Sequence, residues 1–327
     1  MNRGRRSSLR MACAFVASAI PLARAQTQDF PSKLVRIVVP LAAGGSADAM
    51  ARLVAAGLTK QLGQTVIVEN KPGAGGLNGM TEVARAPRDG YVLGYSLAGA
   101  LTVANHIVPK MPYDPAKDFA PITQVVAVPE VIVVNPKIAV KTLQQFVALT
   151  KANPGKFNFG SAGNATIPHL GGELLKHEAG VNLVHVPYRG TGPALNDLLA
   201  GQVQMMVADV TLVRAHIDSG RLLALAVAGP RRIAALPNVP TTAEAGLPGM
   251  LVSNWHAMVA PAGTPIDVVN KLRDAVKQAM AMPEVVARLE QEGAEAVTST
   301  PSQTVAFLDK ERTRWGQLVK TLGIKWE

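Results

Sequence analysis

The sequence predicts an α/β protein of two lobes, each built on a mainly parallel, doubly wound β-sheet. Short apolar, β-branched segments alternate with segments of helical periodicity along most of the 327 residues. Strands separated by helices in this way form parallel sheets that are covered on both faces. A chain of this length commonly divides into two domains, and its 48% of hydrophobic residues suffice for two cores.

The first 25 residues predict a secretory signal peptide. Residues 2–10 carry four arginines and no acid, residues 11–22 are apolar, and Ala23-Arg24-Ala25 has the small-x-small form of a cleavage site. The apolar run is shorter than the roughly 20 residues that span a bilayer. We therefore expect export to the periplasm with cleavage near Ala25, while the secretion route, general or twin-arginine, stays open.

After the signal peptide, strands and helices follow in order. The first strand is predicted at 34–39 and the first helix at 47–62. Further strands are predicted at 66–68, 91–95, 131–134, 157–159, 183–186, 203–208 and 223–227, and helices near 142–151, 167–179 and 194–200. Gly180 and Gly201 stand where C-terminal caps belong. The last third is mainly helical, at 265–280, 283–292 and 302–322.

Because the chain shows no linker between lobes, it is expected to cross between them more than once. The crossing candidates are residues 122–129 and 249–259, which are extended and apolar and contain or adjoin a proline. The predicted division is therefore residues 26–125 with 254–327 in one lobe, and residues 126–253 in the other.

Composition limits the kinds of partner. Five of the 33 basic residues and none of the 23 acids lie in the signal peptide, so its removal halves the net charge of +10. Because no basic cluster exceeds Arg231-Arg232, no nucleic-acid partner is expected. The single cysteine, Cys13, lies in the signal peptide, so disulfides are not expected either. An aromatic content of 4% disfavours a sugar ligand, which needs stacking platforms.

Two loops at strand ends predict an anion site. The first strand leads into Pro40–Asp48, and the strand at 157–159 leads into Gly160–Thr166; each loop then enters a helix. Ligands of open α/β sheets bind beyond the carboxyl ends of strands. Small side chains let backbone N–H groups approach a ligand, and a helix N-terminus favours negative charge. The alternative is that both turns merely start helices, with Ser46 and Thr166 as ordinary N-caps.

Other motifs give only weak indications of an enzyme, a nucleotide site or a metal site. Gly94–Ala98 approximates a nucleophile elbow, which makes a secreted α/β serine hydrolase using Ser96 the alternative function. Only Asp209 and His256 are candidates for its acid and base. The glycine-rich loop at 69–79 resembles a dinucleotide motif but fails at its third glycine. No phosphate loop or HExxH motif occurs, so neither a cofactor nor a metal is expected.

Seven motifs in one order resemble the Bug family, the extracytoplasmic solute receptors of tripartite tricarboxylate transporters. They lie at residues 40–48, 69–76, 86–91, 112–122, 160–170, 186–194 and 260–265. The resemblance implies a type II periplasmic binding protein of the Venus-flytrap kind, not an enzyme. It also implies a small carboxylate ligand, membrane subunits of a tripartite transporter or a sensor as partners, and a monomer.

The resemblance also implies a ligand carboxylate held between the two loops, partly through ordered waters. Carried over by position, the binding residues are Ala43, Gly44, Gly45, Ser46 and Asp48 in the first loop and Ser161, Ala162, Gly163, Asn164 and Thr166 in the second. Asp48 is an awkward neighbour for an anion, so we expect it to orient waters, cap the helix or meet an amine. Trp255 has two open roles, as a wall of the cleft or as a filler of the core.

Overall fold

The computed structural model describes residues 30–325, and the predicted signal peptide at residues 1–25 lies outside this part. The strands are β1 (Val35–Val39), β2 (Val66–Asn70), β3 (Val92–Leu97), β4 (Phe119–Val134), β5 (Asn158–Ser161), β6 (Val184–Pro187), β7 (Met205–Asp209), β8 (Leu223–Val227), β9 (Ser253–Pro261) and β10 (Glu295–Ala296). The helices are α1 (Ser46–Leu62), α2 (Leu77–Ala84), α3 (Ala104–Ile107), α4 (Leu143–Ala152), α5 (Ile167–Ala179), α6 (Thr191–Ala200), α7 (Val210–Asp218), α8 (Ile266–Met280), α9 (Pro283–Glu292) and α10 (Pro301–Leu322).

One long strand, β4, joins two groups of strands. The strand order is β2-β1-β3-β9-β4-β7-β5-β6, and β8 and β10 also pair with β4. Residues 119–129 of β4 pair antiparallel with β9, whereas residues 130–134 pair antiparallel with β7 and β8. The predicted crossing at 122–129 lies within β4, and the one at 249–259 overlaps β9. The division into lobes stays a prediction, and its residues 26–29 and 326–327 lie outside the described part.

The predicted α/β class is confirmed, and the sheet is mixed. The outer strands are parallel, since β1 pairs in parallel with β2 and β3, and β5 with β6 and β7. The two long strands β4 and β9 run antiparallel to their neighbours in the middle. Consequently the carboxyl ends of β1, β3, β5 and β7 meet near the junction between the two groups. Among the helices of residues 30–325, none has the length and apolarity that a membrane span requires.

The C-terminal helix α10 is linked to β9 through Glu311, which accepts hydrogen bonds from two tryptophans. The indole Nε1 atoms of Trp255 and Trp315 both donate to Oε2 of Glu311, at 2.9 and 3.0 Å. Both tryptophans are buried, and Trp255 also packs edge-on against Phe307 with ring centroids 5.1 Å apart. Of the two roles left open for Trp255, the structure therefore shows the core-filling one.

We expect Glu311→Ala to lower the free energy of unfolding by about 2–4 kcal/mol, because two buried indole N–H groups lose their acceptor and each unsatisfied donor costs about 1–3 kcal/mol. Urea denaturation measures the effect. The control is Lys310→Ala, an exposed neighbour on the same helix, which should change stability by less than about 0.5 kcal/mol. Equal stabilities of the two variants would contradict the assignment.

Candidate ligand-binding site

The first loop, residues 40–48, leaves β1 and includes the first three residues of α1, and Asp48 braces it. Gly44 has a φ of +81°, a conformation that glycine adopts without strain. Its N–H donates to Oδ2 of Asp48 at 3.1 Å, and Oδ1 of Asp48 lies 2.9 Å from Nη2 of Arg52. Burial raises the pKa of Asp48, but the hydrogen bonds from Arg52 and Gly44 outweigh it and hold that pKa below its ordinary value. The Asp48 carboxylate is therefore committed to the loop and to α1.

The N-terminus of α1 has no side-chain cap. Its N-cap is Gly45, which is buried and in an extended conformation. Ser46 is the first residue of the helix, and its hydroxyl donates to Oδ2 of Asp209. Ser46 is thus not the N-cap that the alternative interpretation proposed, and the first N–H groups of α1 have no side-chain acceptor. Such a helix end favours a negative charge.

The second loop, residues 160–166, is held by its own hydrogen bonds. The Ser161 hydroxyl accepts from the N–H of Gly163 at 3.0 Å and lies 2.6 Å from Nε2 of His185. Thr166 is the N-cap of α5, yet its hydroxyl donates to the carbonyl of Gly163 at 2.6 Å and caps no N–H. The Ser161 hydroxyl therefore shapes the loop.

Two stacked histidines, His169 and His185, contact the second loop and hold it in place. The N–H of Ala165, which has a φ of +63°, donates to Nδ1 of His169 at 3.2 Å. The rings of His169 and His185 stack with centroids 4.2 Å apart. Burial lowers the pKa of His169 to about 4 and that of His185 to about 3, so both rings are neutral at pH 7. His169 thus positions the loop backbone.

The two loops close on facing segments of the chain. A Cβ added at Gly45 would lie 2.6 Å from Oγ1 of Thr191, and one added at Gly163 would lie 3.5 Å from Cα of Gly75. The N–H of Ala42 also donates to the carbonyl of Arg189 at 3.0 Å. These approaches depend on small residues, because any larger side chain would separate the segments.

A small, enclosed cavity remains between the loops. It leaves about 20 Å³ for the centre of a water-sized molecule, which is room for about one water. Most of its lining is apolar or glycine, namely Pro40, Leu41, Ala47, Gly75, Leu97, Gly99, Ala100, Ala162, Ile167 and Pro168. Its polar lining residues are Thr166, Thr191, Asp209 and Asn254. The cavity therefore lies where the strand ends of both groups meet.

Comparison with known proteins identifies this architecture. Residues 50–324 match the model of the tripartite tricarboxylate transporter family receptor. The chain belongs to this receptor family. It is 37% identical over 312 residues to the protein BugT of Bordetella pertussis, covering 95% of this chain and 96% of BugT.

Two solved structures extend the comparison. MatC from Rhodopseudomonas palustris with bound malate is 34% identical, covers 89% of this receptor and 100% of that chain, and superposes with a TM-score of 0.85. An R. palustris protein with adipate is 32% identical, covers 91% and 99%, and has a TM-score of 0.88. The predicted family and its periplasmic-binding-protein fold are confirmed, and the proteins of this family are periplasmic binding proteins.

The predicted binding residues take different positions around the receptor's cavity. Ala162 and Thr166 line it, whereas Ala43 and Gly44 are exposed. Gly45, Ser46, Asp48, Ser161 and Gly163 make the loop contacts described above, and Asn164 lies in the second loop. Which of them contact the ligand stays a prediction.

Sequence reasoning missed several lining residues. Gly75, Leu97, Thr191 and Asp209 follow or end β2, β3, β6 and β7. The rule that ligands bind beyond strand ends holds for these four strands as it does for β1 and β5. The glycine-rich loop at 69–79, set aside because it fails as a dinucleotide motif, supplies one wall.

Asp209, the last residue of β7, is the centre of a buried polar cluster in this receptor. Besides the Ser46 hydroxyl, its carboxylate accepts from Nδ2 of Asn254 at 2.9 Å. Nε2 of His256 lies 3.9 Å from Oδ2 of Asp209, and Nδ1 of His256 lies 3.1 Å from the Tyr95 hydroxyl. The cluster thus links α1, β3, β7 and β9.

Glu130 faces this cluster from β4. It is fully buried and is paired with Asp209 in the β4–β7 register, so that a protonated Glu130 donates a hydrogen bond to the Asp209 carboxylate. Burial, together with the negative charge of Asp209, raises the pKa of Glu130 well above its ordinary value. Burial lowers the pKa of His256, although Asp209 acts in the opposite direction. Glu130 therefore holds a proton, and His256 is neutral at pH 7.

The hydrolase alternative is not supported. Ser96 is fully buried inside β3, and its hydroxyl contacts the carbonyl of Leu97 at 3.5 Å. Asp209 and His256 do come together, but Nδ1 of His256 faces Tyr95 rather than Ser96. A nucleophilic serine needs a base within hydrogen-bond reach and access to substrate.

We expect Glu130→Gln to stabilise the receptor increasingly as pH rises. With its raised folded-state pKa, Glu130 contributes stability below the ordinary value of 4.5, and this contribution is lost as pH rises toward the folded pKa. Glutamine keeps the shape without titrating, so the variant should gain at least about 1 kcal/mol relative to wild type between pH 5 and pH 8.

Urea denaturation at both pH values measures this change. His256, with its lowered pKa, costs stability below its ordinary value of 6.5, but it does so in both proteins and cancels in the comparison. A difference between wild type and variant that stays constant from pH 5 to pH 8 would contradict the protonated state of Glu130.

Proposed function

We propose that this chain is a periplasmic receptor that binds a small carboxylate in the cavity between residues 40–48 and residues 160–166. The observation that carries the proposal is the uncapped N-terminus of α1, which faces the second small-residue loop across one enclosed cavity. The malate and adipate in the two related structures support a small carboxylate as the ligand.

The two loops contribute unequally to binding. The N–H of Gly163 already donates to the Ser161 hydroxyl and that of Ala165 to Nδ1 of His169, and Pro168 at the start of α5 has no N–H. The first turn of α1 therefore supplies more of the donors, while Ala162 and Thr166 close the cavity from the other side. Three or four hydrogen bonds to a charged group supply roughly 5–12 kcal/mol before the costs of association, against about 8 kcal/mol for micromolar binding.

Ligand entry requires the two loops to separate. Room for about one water does not hold a dicarboxylate, so the two loops lie closer together here than they would around a bound ligand. A ligand that contacts both loops favours a closed arrangement, with the loops somewhat further apart than here, over an open one. The hinge lies where β4 changes partners, at Pro129 and Glu130, and where β9 begins, at Ser253.

The remaining assignments follow from the same proposal. Residues 26–125 with 254–327 form one lobe, and residues 126–253 form the other. The mature receptor is a monomer that begins after cleavage near Ala25. It presents its closed surface to membrane subunits of a tripartite transporter or to a sensor.

Thermal shift and calorimetry against mono-, di- and tricarboxylates test the ligand class. We expect at least one small carboxylate to bind with a Kd near or below about 10 μM, since the donors described above suffice for that affinity. Neutral sugars are the control and should not bind. Binding of a sugar without binding of any carboxylate would overturn the proposal.

We also expect Gly45→Val to weaken carboxylate binding at least about tenfold without unfolding the protein. Valine adopts the extended conformation at this position, but its Cβ would meet Thr191 and push the first loop away from α6. Calorimetry measures the Kd. The control is Gly229→Ala, where an added Cβ meets only ordinary contacts of 3.6 Å or more. An unchanged affinity in Gly45→Val would remove the first loop from the site.

A further inference from the structure

The carboxylate of Asp209 is the charged group in the cavity lining. It is 1% exposed, and its hydrogen-bond donors, Ser46, Asn254 and the protonated Glu130, are all neutral. Among residues 30–325, the basic side chain within 4.0 Å of it is His256, at 3.9 Å. A buried carboxylate that has neutral donors and no firm cationic partner is incompletely compensated.

The groups that face Asp209 do not neutralise it. On β4, Glu130 has a raised pKa and carries a proton; on β9, His256 has a lowered pKa and is neutral. On β3, burial and the Asp209 charge raise the pKa of Tyr95, which keeps its hydroxyl proton. On α1, Arg52 is paired with Asp48. The negative charge of Asp209 is thus left for whatever enters the cavity.

The position of Asp209 relative to α1 sets the spacing of two subsites. One is the anion subsite at the start of α1, and the other is the Asp209 carboxylate, which accepts a hydrogen bond. Ser46 belongs to the first turn of α1, where N–H groups favour an anion, and its own side chain touches Asp209. The anion subsite and the Asp209 carboxylate therefore lie about one side chain apart in space. A ligand that satisfies both must carry its hydrogen-bond donor next to its carboxylate, because a second carboxylate at Asp209 would be repelled.

We propose that Asp209 selects carboxylates that carry an amino or hydroxyl group at the 2-position. The inference rests on the proposed function and names the ligand class within it. Asp48, which the sequence offered for meeting an amine, is committed to Gly44 and Arg52. Asp209 takes that role instead, and Asn254 holds its carboxylate in place.

Calorimetry with three matched series tests the proposal. The series are propionate, L-lactate and L-alanine; succinate, L-malate and L-aspartate; and glutarate, L-2-hydroxyglutarate and L-glutamate. Within each series only the 2-substituent changes, from hydrogen to hydroxyl to ammonium. In the series whose length fits the cavity, we expect the hydroxy or amino member to bind at least about tenfold more tightly than the unsubstituted one.

The variant Asp209→Asn removes the charge and keeps the shape. We expect it to reduce this preference to below about threefold, with the unsubstituted acid bound as tightly as by wild type or more tightly. The control is Asp274→Asn, which removes an exposed carboxylate on α8 and should keep the wild-type preference. Circular dichroism and melting curves verify that both variants fold.

The outcomes separate the inference from the proposed function. If the unsubstituted acids bind wild type as tightly as their 2-substituted partners, the inference is overturned while the carboxylate receptor stands. A preference that survives in folded Asp209→Asn overturns it as well. If none of the nine compounds binds and a neutral solute does, the proposed function fails together with the inference.

Discussion

The site depends on one constraint, the change of pairing partners along β4. Because β4 pairs with β9 in its first half and with β7 and β8 in its second, the ends of strands from both groups meet at one place. This places Asp209, at the end of β7, against Ser46 at the start of α1, 163 residues away in sequence. Without this junction the two small-residue loops would lie at separate edges.

The cavity combines two opposite electrostatic preferences. The first turn of α1 favours an anion, whereas Asp209 disfavours one a few ångströms away. Glu130 and His256 beneath it contribute no net charge at pH 7, since the pKa of the first is raised and that of the second is lowered. The cavity therefore distinguishes the two ends of a small molecule by charge while its walls remain apolar.

Much of the fold could be predicted from the sequence, because β-branched runs and helical periodicity are local signals. The strands β1 and β5 were predicted to within two residues, while the predicted loops at 40–48 and 160–166 include the first three residues of α1 and the last two of β5. The helix α7 was missed because it begins directly after β7, without an intervening turn that would mark its start. The antiparallel pairing of β4 and β9, and the meeting of Asp209 with Ser46, arise from tertiary contacts that no local pattern contains.

A crystal structure of the mature receptor with its tightest-binding carboxylate tests the central claim most directly. We predict one ligand carboxylate within about 2.7–3.2 Å of main-chain N–H groups at the start of α1. The same ligand should also contact residues 160–166. A ligand that contacts only one of the two loops, or that binds outside the cavity, would contradict the account.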